Sequence, residues 1–361
     1  MNIFARFRPD GFTAAMAATV AFSLLLPCQG GAARLFGHLT SVAIGLLFFL
    51  QGARLSRAAI LAGAFHWRLH LLVFGISFGV FPLAGLMFRP LASAFLNPPM
   101  ALGLVFLCTL PSTVQASVAF TSIARGNVAA ALCSASASTL IGMVATPLLA
   151  GLLLRAHGGF STAGLRSIAF ELLLPFLAGQ VLQRWIGAFV LRHRALLSSV
   201  DRGSVLLMVY TVFSEATVHG LWHELTPPSF AALAAIDAAL LVLMLATTAF
   251  CARRFGFSRA DEVTIVFCGS KKSLVSGIPM ANVLFAGPTL GLVVLPLMIF
   301  HQLQLMACAA LARRYARNAA LETATPKGGR GADPEPAQMR RRLSDGIHLP
   351  VLPKATTLTQ A

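Results

Sequence analysis

Charge is what this chain has least of. Charged residues make up 11% of its 361 positions, against about 25% in an ordinary soluble domain, and only 12 are Asp or Glu. So few charges exclude a typical water-soluble globule. Cysteine is sparse as well: there are six, spaced as neither a disulfide framework nor a metal-binding set and mostly inside apolar runs, which reads as inert buried thiols. Continuous polar strips are missing from those runs, so a channel or a pore-type sensor, which needs polarity along its lining, finds no support. What the chain does have is 57% hydrophobic residues and a mean hydropathy of +0.78. That is the composition of a polytopic membrane protein.

Runs of about 17–25 mainly apolar residues are long enough to cross a bilayer as helices. Ten occur, at 11–29, 35–53, 69–88, 99–122, 127–153, 165–187, 203–220, 230–251, 262–285 and 288–312. The expected fold is an all-α membrane protein of ten transmembrane helices in residues 1–317, with a disordered basic cytoplasmic tail over 318–361, where Pro, Gly and charge collect. The first run ends in "LLLPCQGGAARL" without a clear cleavage site, so no cleavable signal peptide is expected.

Lys and Arg test this topology independently. With a cytoplasmic N-terminus, 22 basic residues fall on the inner side, 4 on the outer side and two inside span nine, which accounts for all 28. Such asymmetry places both termini in the cytoplasm. The net charge of +16 is then a topology signal plus a basic tail, with no call for nucleic acid. "RRYAR" (Arg313–Arg317) and "RRR" (Arg340–Arg342) suit anionic headgroups, making membrane lipid an expected partner. Arg outnumbers Lys 24 to 4, as in GC-rich bacterial genes, and the expected location is therefore the cell (inner) membrane.

Five spans in each half make the second half (161–317) enter the membrane from the side opposite to the first (1–160), the inverted-repeat build of many secondary transporters. "AFSLLLP" (Ala21–Pro27) and "AFELLLP" (Ala169–Pro175) echo each other across the halves. A stronger sign is a pair of interrupted spans in corresponding places. Span four holds "CTLPSTVQASVAF" (Cys108–Phe120), where Pro111 removes a backbone donor and Ser112, Thr113, Gln115 and Ser117 follow. Span nine holds "CGSKKSLVSGIP" (Cys268–Pro279), with Gly269, Ser270, Lys271, Lys272, Ser273, Gly277 and Pro279. Non-helical backbone at membrane depth survives only when buried in protein or facing water, so paired breaks predict two crossed, discontinuous helices around a polar site. Half-helix N-termini there suit an anion, and unwound carbonyls and hydroxyls suit a cation. Lys271 and Lys272 are the only charges between Val263 and Phe285. Each costs roughly 2.5–3.5 kcal/mol at the centre of a membrane helix, so their retention points to use.

At these residues a resemblance becomes specific. "LPSTVQASVAFTSIARGNVAAALCSASASTLIGMVATPLL" (Leu110–Leu149) resembles the fourth and fifth helices of the bile acid:sodium symporter superfamily, and "VYTVFSEATVHGLW" (Val209–Trp222) with "FCGSKKSLVSGIP" (Phe267–Pro279) resembles its SBF-like branch. The similarity spans about residues 8–315. It implies a panel domain (spans one, two, six and seven), a core domain (the other six), alternating access between them, and transport of an organic anion driven by sodium. The superfamily's sodium ligands carry over incompletely. Its Ser-Asn pair after the helix-four break becomes Gln115, Ala116, Ser117, Val118, leaving Ser117. Its helix-five hydroxyl pair becomes Ala131 and Ala135, with Ser134 and Ser138 offering hydroxyls four apart one face over. Its helix-nine carboxylate gives way to Ser270 and the lysines. An ammonium placed there can stand where the family holds a cation, its neighbour facing the cavity as an anion contact. Sodium ion as the only candidate cofactor, and either sodium or a proton as the coupled ion, remain open.

Other features have plain readings beside functional ones. "CSASAST" (Cys133–Thr139), Gly75 and Gly79 read as small-residue helix packing. His219 and His223 are four apart, as metal ligands can be, but sit at the outer end of span seven, where polar residues belong. His301, beside Gln302 and Gln304 in span ten, is the better candidate. Of the intramembrane acids Glu171, Glu215 and Asp237, Glu215 is the expected lysine partner or substrate-gating residue, the plain reading being an interfacial acid. The sequence thus predicts a secondary active transporter of a small organic anion. The alternatives are an intramembrane hydrolase built on the serines and lysines of "SKKS", or a non-transporting membrane sensor.

Overall fold

The computed structural model describes residues 11–54, 66–154, 169–285 and 287–324. Among them every regular element is helical. In chain order these are α1 (Gly11–Leu25), α2 (Gly30–Arg54), α3 (Trp67–Phe95), α4 (Pro98–Thr109), α5 (Val114–Ile123), α6 (Val128–Leu154), α7 (Phe170–Arg192), α8 (Arg194–Val218), α9 (Pro227–Arg254), α10 (Arg259–Gly269), α11 (Leu274–Leu284) and α12 (Leu290–Ala324). Met1–Ala319 is one compact unit. The second unit, Ala320–Ala361, lies almost wholly outside the described residues, and with it the disorder expected for the tail.

Seven of these helices, α2, α3, α6, α7, α8, α9 and α12, are long and apolar enough to cross a membrane, and α4 with α5 forms an apolar pair bent by 62°, the geometry of a broken span or a re-entrant loop. The expectation was ten. The difference lies in α1, whose helix stops at Leu25 after 15 residues, and in α10 and α11, two 11-residue halves, the first carrying Arg259, Asp261 and Glu262, with Lys271 and Lys272 in the break between them. Length and charge remove these from a count based on apolarity. The chain is nonetheless a multi-pass membrane protein by its seven apolar crossings and their lipid-like outer surface, which exposes residues such as Met87, Val242 and Phe250.

Helices pack where small residues let backbones approach. α2 and α7 form the most extensive pair, with Gly52 against the Phe176 carbonyl and Gly179 against the Phe49 carbonyl. Gly75 and Gly79 do not pack in this way. Beyond the local helix backbone nothing lies within 4 Å of where their side chains would begin; Gly75 precedes the π-helical turn Ile76–Val80 of α3, and Gly79 lies within it. At one end of the bundle Glu262 accepts from Arg253 (2.9 and 3.1 Å) and from the Tyr315 hydroxyl (2.9 Å), joining α9, α10 and α12. Asn127 ties α6 to α10 by donating from its side chain to Asp261 (3.1 Å) and from its backbone to Thr264 (3.1 Å). These anchors fix α10, and therefore where its C-terminal end points.

Candidate functional site

The two breaks are made differently and meet. Between α4 and α5, Pro111 forces the preceding Leu110 into extended backbone (ψ 154°), and the chain stays extended through Thr113 before re-entering a helix. Between α10 and α11 the helix ends at Gly269, and Ser270–Ser273 run non-helically until Ser273 caps α11 by accepting from the Ser276 N–H (3.2 Å). Gly277 and Pro279 lie inside α11 and are not the break; Gly277 is a close-packing point against Leu110 and Leu297. The Ser273 N–H donates to the Pro111 carbonyl (2.9 Å), so one unwound segment pairs directly with the other.

Ending a helix inside an apolar bundle leaves carbonyls that must find donors. At the end of α4, Thr109 O accepts from the Thr146 hydroxyl (2.7 Å) and Pro111 O from Ser273 N. The rest of the need is met by Lys272. Its ammonium donates to Cys108 O (3.0 Å), Leu110 O (2.7 Å) and Ser77 O (2.9 Å), the last from the π turn of α3. These three bonds use every proton the group has. The ring of Phe81 lies 4.0 Å below it. The charge sits at the negative end of α4, where a cation is favoured.

Lys271 diverges from its neighbour. Its ammonium donates to Ala116 O in the first turn of α5 (2.9 Å) and lies 4.1 and 5.2 Å from the ring centres of Phe120 and Phe267. Both lysines are 0% exposed, so in this state neither faces open solvent. Neither bonds to a carboxylate among the described residues, whose ion pairs are Arg54–Asp201, Arg253–Glu262 and Arg259–Glu262. Glu215, the expected partner, is exposed on α8, one of the faces its helix turns outward. Of Glu171, Glu215 and Asp237, the buried one is Asp237 on α9, with no hydrogen-bond partner for either oxygen.

The break between α10 and α11 is held by a residue that the sequence showed only as a neighbour of His301. Gln304, fully buried on α12, accepts from the Lys272 N–H (2.9 Å) and donates to the Lys272 carbonyl (2.8 Å). Its second amide proton points at His301 Nδ1 (2.9 Å). An amide nitrogen only donates, so His301 accepts there and joins the break through Gln304.

The expected hydroxyls divide. Ser117 donates to Phe267 O (2.9 Å) and lies 3.5 Å from Ser112 Oγ, and Ser138 Oγ accepts from Ser112 N (3.1 Å), so Ser112, Ser117 and Ser138 do gather at the breaks. Ser134 and Thr113 are buried with unpartnered hydroxyls, and Gln115 is exposed. Ser270 donates to Val266 O (2.6 Å). Gly269 keeps clear of the Thr248 methyl, which a side chain would meet at 3.0 Å. Among the described residues no group of three or more His, Cys, Asp and Glu could hold a metal ion.

The model of the SBF-like CPA transporter family matches residues 10–317. An uncharacterized protein of Pseudomonas aeruginosa is 56% identical over 314 residues, 86% of this chain and 94% of its own. YfeH of Escherichia coli, a symporter by name, is 49% identical over 309 residues (85% and 93%). The sodium/bile acid cotransporter 7 of Danio rerio is 30% identical over 317 residues (85% and 93%). Because the family match runs through both breaks and nearly every described helix, the chain belongs to the SBF-like CPA transporter family.

Proposed function

We propose that this transporter carries a small organic anion by alternating access, through ten spans in two inverted five-helix repeats with α1 and the α10–α11 pair as the remaining two. One observation carries the reading: at the meeting of the breaks Lys271 holds its ammonium on one carbonyl and two rings, and no carboxylate among the described residues bonds to it. The N-termini of α5 and α11 add partial positive charge at the same place. An anion is the complement. A serine–lysine hydrolase is set aside by the family and by geometry, since no serine hydroxyl bonds to either ammonium.

A relative is named for sodium and bile acid, which supports sodium as the coupled ion, with the proton as the other reading. The remaining hydroxyl candidates for sodium are Ser117, Ser134 and Ser138. Uptake of labelled anions into sealed proteoliposomes, with sodium, potassium and pH gradients imposed in turn, tests the whole reading. Saturable accumulation driven by one gradient is expected, and its absence for every anion that stabilises the purified protein overturns it.

Two further results are expected. In a background without native cysteines, Gln115→Cys reacts with a small water-soluble thiol reagent, because Gln115 is exposed. Thr113→Cys and Ser273→Cys, at positions 8% and 4% exposed, react more slowly, as the crossing opens. If all three stay unreactive in folded protein, the cavity lies elsewhere. Reporter fusions after Ala188 and Ala320 should both report cytoplasm, as should the segment holding Arg192 and Arg194. An extracellular signal from either fusion removes the inverted-repeat topology.

A further inference from the structure

The Lys272 ammonium is enclosed the way a monovalent cation is enclosed. Three carbonyl oxygens from two helices, Ser77, Cys108 and Leu110, converge on it at 2.7–3.0 Å, with an aromatic face at 4.0 Å as a fourth wall. None of the three is a side-chain group selected for a lysine. They are a helix end and a π turn, oriented by Pro111 and by the backbone of α3. Without a positive charge, Cys108 O and Leu110 O would face each other at the negative end of α4 with no donor between them. The side chain reaches this position because Gln304 fixes the Lys272 backbone on the opposite side. Lys271, one residue away, is held by one carbonyl and two rings and has no such enclosure.

We infer that these carbonyls form a monovalent-cation site that the chain fills permanently with its own lysine, so that this position needs no ion from solution. The inference rests on reading the crossing as the transport site. It makes the site's ion requirement a property of one residue: shortening Lys272 converts a self-filled site into an ion-dependent one.

The test uses purified full-length protein in detergent and reads thermal unfolding, so it needs no substrate. Lys272→Ala removes three methylenes and the ammonium, the shape of propylammonium. The variant is expected to melt about 10 °C lower, since removing one partner of a buried charged contact is strongly destabilising. Propylammonium or sodium chloride should restore it saturably, and N-methylglucamine chloride at equal ionic strength should not. Lys272→Met, which keeps the stem and fills the space, should also melt low and respond to neither cation. Failure of both cations to restore folded Lys272→Ala overturns the inference. So does a Lys272→Met as stable as the wild type. If Lys272→Ala yields no folded protein, purification in propylammonium chloride must recover it, and failure there counts against the inference equally. Restoration by cation together with an absence of wild-type uptake would leave the cation position standing and the transport reading fallen.

Discussion

Gln304→Leu lowers the stability of the folded protein by about 2–6 kcal/mol. The figure follows from what is left behind: the Lys272 N–H and carbonyl lose their partners at once inside a fully buried segment, at about 1–3 kcal/mol for each unsatisfied group. Leucine has no polar atom to offer either, and the hydrophobic area it adds is small beside that loss. Gln304→Glu separates the two bonds. It keeps an acceptor for the N–H, removes the donor to the carbonyl and to His301, and brings a carboxylate beside the lysines. Its cost is therefore expected to be the smaller of the two. Unfolding in detergent measures both. Thiol labelling gives a local readout, because Cys268 and Cys108 are fully buried on either side of Lys272 and become reactive only if the break loosens. If Gln304→Leu unfolds like the wild type with both thiols protected, the unwound segment does not depend on this amide.

The existence of two breaks was legible because the residues that break helices leave a mark in sequence, Pro111 most plainly. Their locations were less so. Gly277 and Pro279 looked like part of the second break and turned out to lie inside α11, the break being the four residues Ser270–Ser273, whose polarity was the better signal. The two lysines stood out as charges in an apolar run, but their partners are backbone carbonyls, and every residue has one. Nothing in the code distinguishes the carbonyl of Ser77 from its neighbours. Only the π turn of α3 brings it to Lys272.

Acids and glycines show the same limit. Glu215 and Asp237 both stand in apolar stretches of their helices, and which one is buried depends on which face of α8 or α9 packs inward, a tertiary fact. Apolar residues surround both, so periodicity does not orient either helix. Gln304, by contrast, was visible three residues after His301, and that i,i+3 spacing on one face is how the two come to bond.

Gly179→Val is expected to separate α2 from α7, and Gly52→Ala to do so nearly as strongly. Two opposing effects act on any such change. Replacing a helical glycine by alanine is worth up to about 1 kcal/mol in favour of the helix. Forcing a side chain into a filled interface costs about 1–3 kcal/mol, occasionally more. At Gly52 the obstacle is the Phe176 carbonyl with the Gln180 N–H beside it, and at Gly179 it is the Phe49 carbonyl. Backbone cannot rotate aside as a side chain can, so the clash takes the upper end of that range and exceeds the propensity gain. The helices must part, and the contacts that Leu47, Phe48, Leu172 and Phe176 make around the glycines are strained with them. Gly37→Ala, in the same helix α2 but with nothing within 4 Å, isolates the propensity term and should hold or raise the melting temperature. Under the alternating access proposed above, α2 and α7 move as one body, and Gly179→Val should then also lose transport before it loses all structure. Should Gly52→Ala and Gly37→Ala melt alike, the close approach of α2 and α7 contributes nothing to holding that body together.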